Sequence, residues 1–275
     1  AKIVHIDIDP ASIDKTIKSH VSIVGDCKPI LALLNQWLAN DQMAQSEEQT
    51  QAWLAQIAQW KKEEPLDYGS GDKIKPQYVL EKLYELTKGR AIIATEVGQN
   101  QMWTAQFYKF DEPNSFISSG GLGTMGFGLP AAIGAQVAFP DKLVVDIAGD
   151  GSIQMNIQEM ATAVQYNIPV KVIILNNGFL GMVRQWQEMF YSKRYSQTTM
   201  DYAPDFVKLA EAYGATGFRA TKSEEVEGVL RQGLATPGPV MIDIQIEPEE
   251  GVYPMVRPGA ALSEMALVNK GSQIR

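Results

Sequence analysis

The residues of this sequence with the clearest capacity for chemistry lie in two short polar motifs. Gly149-Asp150-Gly151-Ser152 follows a largely apolar run over residues 143–148, and Asn176-Asn177 follows a second largely apolar run over residues 170–175. Both runs predict strands of a parallel sheet, and open α/β sheets bind ligands at the carboxyl ends of such strands. We therefore expect the two motifs to lie side by side in a ligand site at one edge of the sheet.

The two motifs contain hard oxygen ligands. Asp150 and Asn177, together with one nearby backbone carbonyl, would supply half of an octahedral oxygen shell. Mg²⁺ is usually held by few protein ligands, and phosphate oxygens and water complete the shell. Gly149 and Gly151 let the backbone approach a diphosphate closely, and a helix predicted to begin near Ser152 would point its first N–H groups at the same place. Gly-Asp-Gly alone is more often a plain turn, but the two motifs together predict a site for Mg²⁺ and a diphosphate.

Composition nearly excludes histidine and cysteine chemistry. The 275-residue chain has two histidines, His5 and His20, and one cysteine, Cys27. A zinc site built from His and Cys therefore lacks ligands, and a Ser-His-Asp triad would need one of two N-terminal histidines. A lone cysteine excludes a disulfide within the chain and favours a reducing compartment, so we expect a cytoplasmic protein. Oxygen ligands or a borrowed cofactor should carry the chemistry.

The charge balance excludes two classes of partner. The chain has 24 Lys and Arg against 32 Asp and Glu, for a formal net charge of −8. Nucleic acids and anionic membranes are bound by basic surfaces, so we expect neither as a partner. No apolar run approaches the roughly 18 residues that a membrane-spanning helix needs.

The chain from residue 74 onward predicts an α/β fold. Continuous apolar strands that alternate with helices are typical of a parallel sheet with helices on both faces. The predicted strands cover residues 91–94, 143–148, 170–175, 217–220 and 240–246, and the predicted helices cover residues 76–87, 153–166, 180–191, 205–213 and 224–235.

The N-terminal part of the chain differs in character. It opens without Met on an apolar run over residues 3–8, which predicts a buried strand, and residues 41–73 predict a surface helix followed by a loop. We interpret residues 1–40 as the remnant of a second α/β domain, residues 41–73 as a linker and residues 74–275 as the main domain. A chain that opens on a buried strand is expected to be a piece of a longer protein.

The motifs resemble those of thiamine-diphosphate enzymes, and three flanking segments are similar to acetohydroxyacid synthase. These segments are residues 97–103, 120–126 and 181–188, and the similarity extends from His5 to Met255. The resemblance implies the C-terminal part of the large catalytic subunit. Residues 1–40 would then be the tail of the flavin-binding middle domain, and residues 74–275 the domain that binds thiamine diphosphate and Mg²⁺.

The resemblance also implies an activity and partners for the parent enzyme. It would decarboxylate pyruvate on thiamine diphosphate and join the two-carbon unit to pyruvate or 2-ketobutyrate, in branched-chain amino-acid biosynthesis. Its substrates would be small 2-ketoacids, and it would assemble as a homodimer or tetramer, with or without a small regulatory subunit.

The resemblance assigns roles residue by residue. Asp150 and Asn177 match the metal ligands, with the backbone carbonyl of Phe179 as a third ligand. Asp7 matches a region that contacts FAD, which the upstream part of the family's chain mainly binds. The mouth of the substrate channel is matched by Met182, Val183 and Trp186. Residues that match contacts to thiamine diphosphate are Val97, Gly98, Gln99, Asn100, Gly123, Met125, Gly149, Gly151, Ser152, Asn177, Gly181 and Met182.

Two features limit the assignment of catalysis to this chain. Asn100 stands where the family commonly has His, and an amide cannot titrate near neutral pH, so we expect no proton transfer there. The family's catalytic glutamate lies in an upstream domain of the neighbouring subunit, and neither Glu96 nor Glu159 matches it. We therefore assign no catalytic residue in this chain and expect the chain alone to be inactive.

Other readings of the sequence remain open. Within the superfamily they are a catabolic acetolactate synthase, a pyruvate oxidase or a glyoxylate carboligase, although Trp186 in its Arg-Gln-Trp-Gln context favours the biosynthetic enzyme. A different class is a non-catalytic module that binds Mg²⁺ and diphosphate and dimerises. A nicotinamide-binding protein is disfavoured because no Gly-x-Gly-x-x-Gly follows the first strand. From periodicity alone, Met182, Trp186, Met189 and Phe190 would form a stripe that faces the core.

Overall fold

The chain divides after Leu66 into two compact units. The computed structural model describes residues 2–40, 47–63, 65–69 and 71–267. The first unit contains two paired parallel strands, β1 (Val4–Asp7) and β2 (Val21–Val24), and two helices, α1 (Cys27–Asn40) and α2 (Glu47–Glu63). The division falls within the predicted linker, of which residues 41–46, 64 and 70 lie outside the described residues, as do residues 268–275 of the predicted main domain.

The apolar residues of the first unit are largely exposed. Val4 and Ile8 are 57% and 70% exposed, so the prediction of a buried strand was wrong. Trp53 and Trp60 of α2 are about half exposed, and their rings meet edge to face with centroids 5.5 Å apart. Two paired strands offer too little surface to bury an apolar face on their own, which explains the exposure.

The second unit is built on a parallel sheet. In the part that the structure describes, six strands are arranged in the order β4-β3-β5-β6-β8-β7, and every pairing is parallel. The strands are β3 (Ile92–Thr95), β4 (Phe116–Ser118), β5 (Val144–Gly149), β6 (Lys171–Asn176), β7 (Thr216–Ala220) and β8 (Val240–Gln245). The sheet confirms the predicted α/β fold.

Helices cover both faces of the sheet. Side chains alternate along each strand, so Val145 and Ile147 of β5 join one hydrophobic cluster while Val144 and Ala148 join the other. One face is covered by α3 (Pro76–Thr87), α4 (Gln99–Phe107) and α9 (Ser223–Ala235), and the other by α5 (Gly128–Ala138), α6 (Met160–Gln165) and α8 (Phe206–Tyr213). A further helix, α7 (Gly181–Phe190), follows β6.

The structure differs from the sequence prediction where the chain passes from β5 to β6. The helix predicted over residues 153–166 is broken into two 3₁₀ turns, Ile153–Met155 and Ile157–Glu159, followed by α6. Asn156 separates the turns, with a non-helical backbone and a side-chain Nδ2 that donates to the carbonyl of Gly126 at 2.8 Å. This tertiary bond holds the chain out of a continuous helix.

The strand order creates a crevice at one end of the sheet. The chain leaves β3 to form β4 on one side and then crosses to form β5 on the other side of β3. Ligands in open α/β folds bind outside the carboxyl ends of the strands at such a switch point. The loops after β3, β5 and β6 begin at Glu96, Asp150 and Asn177 and meet there.

The buried carboxyl group of Asp146 in β5 should make the free energy of unfolding depend on pH. It is fully buried, and neither carboxyl oxygen has a hydrogen-bond partner among the described residues. Burial, with a smaller contribution from the charge of Glu96, raises its pKa well above the ordinary 3.8. The folded chain therefore keeps a proton that the unfolded chain releases. We expect the free energy of unfolding to fall as pH rises above 3.8, by up to about 1.4 kcal/mol per pH unit.

Urea unfolding at pH 5, 6 and 7 checks this expectation. Asp146→Asn should remove the share of the fall that Asp146 contributes, because the amide has no proton to release in this range. The share of Glu96 and Asp150, whose pKa values burial also raises, should remain. Asp141→Asn, at an exposed position, should keep the wild-type slope. Parallel slopes in all three proteins would contradict the assignment of a neutral Asp146.

Candidate functional site

The three loops at the switch point and the start of α7 enclose an open cleft with about 520 Å³ of space. Most of the residues predicted for the site line this cleft. They are Val97, Gly98, Gln99, Asn100, Met125, Gly149, Asp150, Gly151, Ser152, Asn177, Phe179, Gly181, Met182 and Val183. The cleft is also lined by Trp103, Leu175 and Leu180, which were not predicted as site residues.

Asp150 is placed to bind a cation. The residue is only 1% exposed, and its Oδ2 has no hydrogen-bond partner in the described parts of the chain. Burial raises the pKa of Asp150 to about 7, and backbone N–H groups, including those of Gly178 and Gly151, act in the opposite direction. A buried carboxylate oxygen without a partner is costly, and a bound divalent cation would satisfy it. The donor set therefore fits Mg²⁺.

Asn177 has its side-chain amide held in one orientation. Its Oδ1 accepts from the backbone N–H of Phe179 at 3.0 Å, and its Nδ2 donates to Gln99 Oε1 at 3.1 Å. Gly178 between them has φ of +73°, a left-handed conformation that favours glycine. The tight turn brings Asn177 and Phe179 to the same cleft as Asp150.

Two glycines provide the close backbone approach that a diphosphate requires. Gly98 has φ of +139°, which side chains rarely allow. At Gly151 an added Cβ would lie 2.6 Å from Leu180 Cδ2, so a side chain there would have to displace the Leu180 side chain. The cleft wall is therefore bare backbone at both positions.

Glu96 is a buried residue at the site for which the sequence predicted no role. It is fully buried and accepts hydrogen bonds from Gly126 N at 2.7 Å, Leu129 N at 3.1 Å and Ser152 Oγ at 2.8 Å. Burial raises its pKa, and these bonds partly oppose the rise. The carboxyl group thus fastens the loop that carries Met125 to the loop after β5. A Glu directly after an apolar strand was the only available signal.

Asn100 is tied to the sheet. It is 4% exposed, and its Nδ2 donates to the carbonyl of Ile147 in β5 at 2.9 Å. Its side chain therefore bridges α4 to β5 beneath the cleft.

Three of the predicted residues do not line the cleft. Trp186 is 43% exposed. Its ring meets the Phe190 ring edge to face, with the two ring centroids 5.7 Å apart. Gly123 lies in the loop before Met125 with φ of +70°. Asp7 belongs to the first unit, where its carboxylate accepts from the backbone N–H of Asp9 at 2.9 Å.

Neither a cluster of metal-binding side chains nor a membrane-spanning helix is found in the part of the chain that the structure describes. No group of three or more His, Cys, Asp and Glu side chains there is arranged to hold a metal ion. No helix in the described ranges has both the length and the apolar character that crossing a membrane requires.

Comparison with known proteins identifies the family. Residues 96–244 match the model of the family described as thiamine pyrophosphate enzyme, C-terminal TPP binding domain. The chain belongs to this family. The matched TPP-binding domain begins at Glu96 and ends within β8, so it contains both polar motifs and the cleft between them.

Curated relatives extend the similarity over the whole chain. It is 48% identical over 271 residues to the acetolactate synthase isozyme 3 large subunit of Escherichia coli K12, covering 97% of this chain and 47% of that protein. It is 48% identical over 269 residues to the acetolactate synthase large subunit of Haemophilus influenzae, covering 97% and 47%. For acetolactate synthase 1, chloroplastic, of Oryza sativa the identity is 47% over 282 residues, covering 100% and 44%. The chain spans about half the length of these relatives. The similarity confirms the resemblance to acetohydroxyacid synthase.

Proposed function

We propose that this chain is the C-terminal, cofactor-binding part of an acetolactate synthase catalytic subunit. The observation that carries the proposal is the buried carboxylate oxygen of Asp150, which has no hydrogen-bond partner among the described residues and lies with Asn177 at the switch point of a TPP-binding domain. The whole enzyme would decarboxylate pyruvate and condense the two-carbon unit with pyruvate or 2-ketobutyrate, in branched-chain amino-acid biosynthesis. The names of the relatives support this reaction.

Different residues of the cleft would bind different parts of the cofactor. Asp150 and Asn177 would ligate Mg²⁺, with the carbonyl of Phe179 as a third ligand. Bare backbone at Gly98 and Gly151 would admit the diphosphate. When bound, thiamine diphosphate supplies the electron sink for decarboxylation. Met125, held by the loop that Glu96 fastens, would support the cofactor from below.

The partners of the whole enzyme are part of the same proposal. Small 2-ketoacids would enter past Met182 and Val183, which line the cleft. The enzyme would assemble as a homo-oligomer, with or without a small regulatory subunit. FAD would be bound mainly by the upstream part of the family's chain, with Asp7 in a region that contacts it. The lone cysteine supports a reducing compartment such as the cytoplasm. Without the family's upstream glutamate, the chain alone would make no acetolactate.

Calorimetric titration of the chain with thiamine diphosphate tests the proposal. We expect binding in MgCl₂ that is lost in EDTA, and no binding of NAD⁺ under either condition. Equal heats with and without Mg²⁺, or binding of NAD⁺ instead, would overturn the proposed site. Acetolactate formation by the chain joined to the upstream half of such a subunit would then separate this enzyme from a pyruvate oxidase.

Trp186 provides a prediction about the substrate channel. Because its side chain is 43% exposed, Trp186→Leu should change the free energy of unfolding by no more than about 0.5 kcal/mol. The loss of a large flat ring near the channel mouth should alter the preference between pyruvate and 2-ketobutyrate as acceptor. Thermal unfolding of the chain and competition assays on the assembled enzyme measure the two effects.

A matched control is available in α4. Trp103 is 1% exposed and its Nε1 donates to the carbonyl of Gly251 at 3.3 Å. Trp103→Leu should therefore cost about 3 kcal/mol or more. If Trp186→Leu costs as much as Trp103→Leu and leaves the acceptor preference unaltered, Trp186 is a packing residue and the channel assignment is wrong.

A further inference from the structure

Gln185 of α7 has a side chain whose hydrogen bonds are all made inside the protein. It is fully buried, although it follows Arg184 in a polar stretch of a helix near the surface. Its Nε2 donates to the carbonyl of Val252 at 3.0 Å, and its Oε1 accepts from the N–H of Val252 at 2.9 Å. The amide thus pairs with the backbone of Val252 as a neighbouring strand would.

The same Oε1 of Gln185 accepts a second hydrogen bond, which leads to the candidate metal site. Gln99 Nε2 donates to it at 2.9 Å and also donates to the carbonyl of Glu250 at 3.0 Å. With both amide protons of Gln99 used in this way, its Oε1 is turned toward Asn177 and accepts from Asn177 Nδ2 at 3.1 Å. A continuous chain of amides therefore runs from Val252 through Gln185 and Gln99 to Asn177.

The far end of this chain of amides is anchored. Trp103 Nε1 donates to the carbonyl of Gly251, and Gln106 Nε2 donates to the carbonyl of Tyr253 at 3.0 Å. The carboxylate of Glu250 accepts from Lys75 Nζ at 2.6 Å and from Gln77 Nε2 at 2.9 Å. Residues 250–253 are thus held by α3, α4 and α7 together and provide a fixed support behind the cleft.

The orientation of an asparagine amide decides whether it can bind a cation. Only the carbonyl oxygen is a ligand, and a flipped amide would present an NH₂ group to the metal. Gln99 accepts from Nδ2 of Asn177, so Oδ1 stays on the side of the cleft and of Phe179 N–H. Partners behind a ligand commonly change metal affinity by 10–100-fold when they are removed.

We infer that Gln185 is a positioning residue for the metal ligand Asn177. It acts through Gln99: by fixing the Gln99 amide against the segment 250–252, it keeps Oδ1 of Asn177 directed at the cation. This inference rests on the proposed function, because it assumes that Asn177 binds Mg²⁺. It adds a role for α7 and for the segment after β8 that neither polar motif contains.

Titration of MgCl₂ into the chain at saturating thiamine diphosphate tests the inference. Gln185→Met has nearly the same shape but can neither accept from Gln99 nor pair with Val252, so we expect the dissociation constant of Mg²⁺ to rise about 10–100-fold. Gln232→Leu, at an exposed position of α9, serves as the control and should leave the constant unchanged. If Gln185→Met fails to fold, Gln99→Met removes this bond and the bond to Asn177 together, so the rise should be at least as large. An unchanged constant in Gln99→Met would overturn the inference.

A second measurement needs no cofactor. In ¹⁵N spectra of the cofactor-free chain, the side-chain NH₂ of Asn177 should shift and exchange faster with solvent in Gln185→Met than in the wild type. If only the backbone N–H of Val252 responds, Gln185 merely packs the segment 250–252 and the inference is overturned.

The outcomes separate the inference from the proposed function. A wild-type chain that binds no Mg²⁺ with thiamine diphosphate overturns both. A wild-type chain that binds, together with a Gln185→Met chain of unchanged Mg²⁺ affinity, overturns the positioning role alone.

Discussion

Asp150→Asn should abolish the Mg²⁺-dependent binding of thiamine diphosphate and leave the cofactor-free chain at least as stable as the wild type. The substitution removes the one charged ligand of the candidate metal site, so we expect the affinity to fall by about 100-fold or more. Without cofactor, the buried carboxylate oxygen has no partner among the described residues, and burial already opposes its charge. A neutral amide of the same shape relieves that cost.

Thermal unfolding with and without Mg²⁺ and thiamine diphosphate measures both effects. The wild type should gain stability when the ligands are added, because they bind the folded chain alone. Asp150→Asn should gain none, and Asp72→Asn, at an exposed position outside the cleft, should gain as much as the wild type. A ligand-induced rise in melting temperature in Asp150→Asn equal to that of the wild type would remove Asp150 from the metal site.

The central strands and the position of the site could be predicted because they depend on local patterns. Five of the six residues 170–175 are apolar, the exception being Lys171, and such a run is typical of a strand inside a sheet covered on both faces. The observed strand, Lys171–Asn176, lies within one residue of this prediction. Once two such strands are parallel neighbours, the polar residues that follow them must meet, which places Asp150 and Asn177 in one cleft.

Elements that depend on distant partners could not be predicted. Helices α4 and α5 and the strand β4 were absent from the prediction, because α5 is apolar on all sides and α4 has no one-sided apolar pattern. The break at Asn156 depends on the carbonyl of Gly126, and the role of Glu96 depends on N–H groups that come from beyond β4. No local pattern records such bonds.

The positions of side chains on α7 also could not be predicted from local spacing alone. The spacing of Met182 and Trp186 predicted that both line one wall, yet Met182 lines the cleft and Trp186 is largely outside it. Gln185 differs from its prediction in the opposite direction. A glutamine in a polar stretch predicts a solvent-facing position, but Gln185 is fully buried. Its burial follows from the segment 250–252, which covers it from far along the chain.

Gly181 at the start of α7 is the position where a single added methyl group should harm the site most. A Cβ there would overlap Gln99 Oε1 and lie 2.8 Å from Asn177 Nδ2. Gln99 cannot swing away freely, because its Nε2 is bonded to Gln185 and to the carbonyl of Glu250. Gly181→Ala must therefore break the bond between Gln99 and Asn177 or displace α7. We expect the free energy of unfolding to fall by about 1–3 kcal/mol and the affinity for Mg²⁺ with thiamine diphosphate to fall at least about 10-fold.

Gly134→Ala in α5 is the matched control, because its Cβ would meet nothing within 4 Å. An alanine in an open helical position should raise the free energy of unfolding by about 0.5–1 kcal/mol, and it should leave the affinity unchanged. Urea unfolding and calorimetric titration of both variants measure the contrast. If Gly181→Ala gains stability as Gly134→Ala does and binds Mg²⁺ with wild-type affinity, then Gln99 moves aside at no cost. In that case the contact between Gln99 and Asn177 does not hold the metal ligand in place.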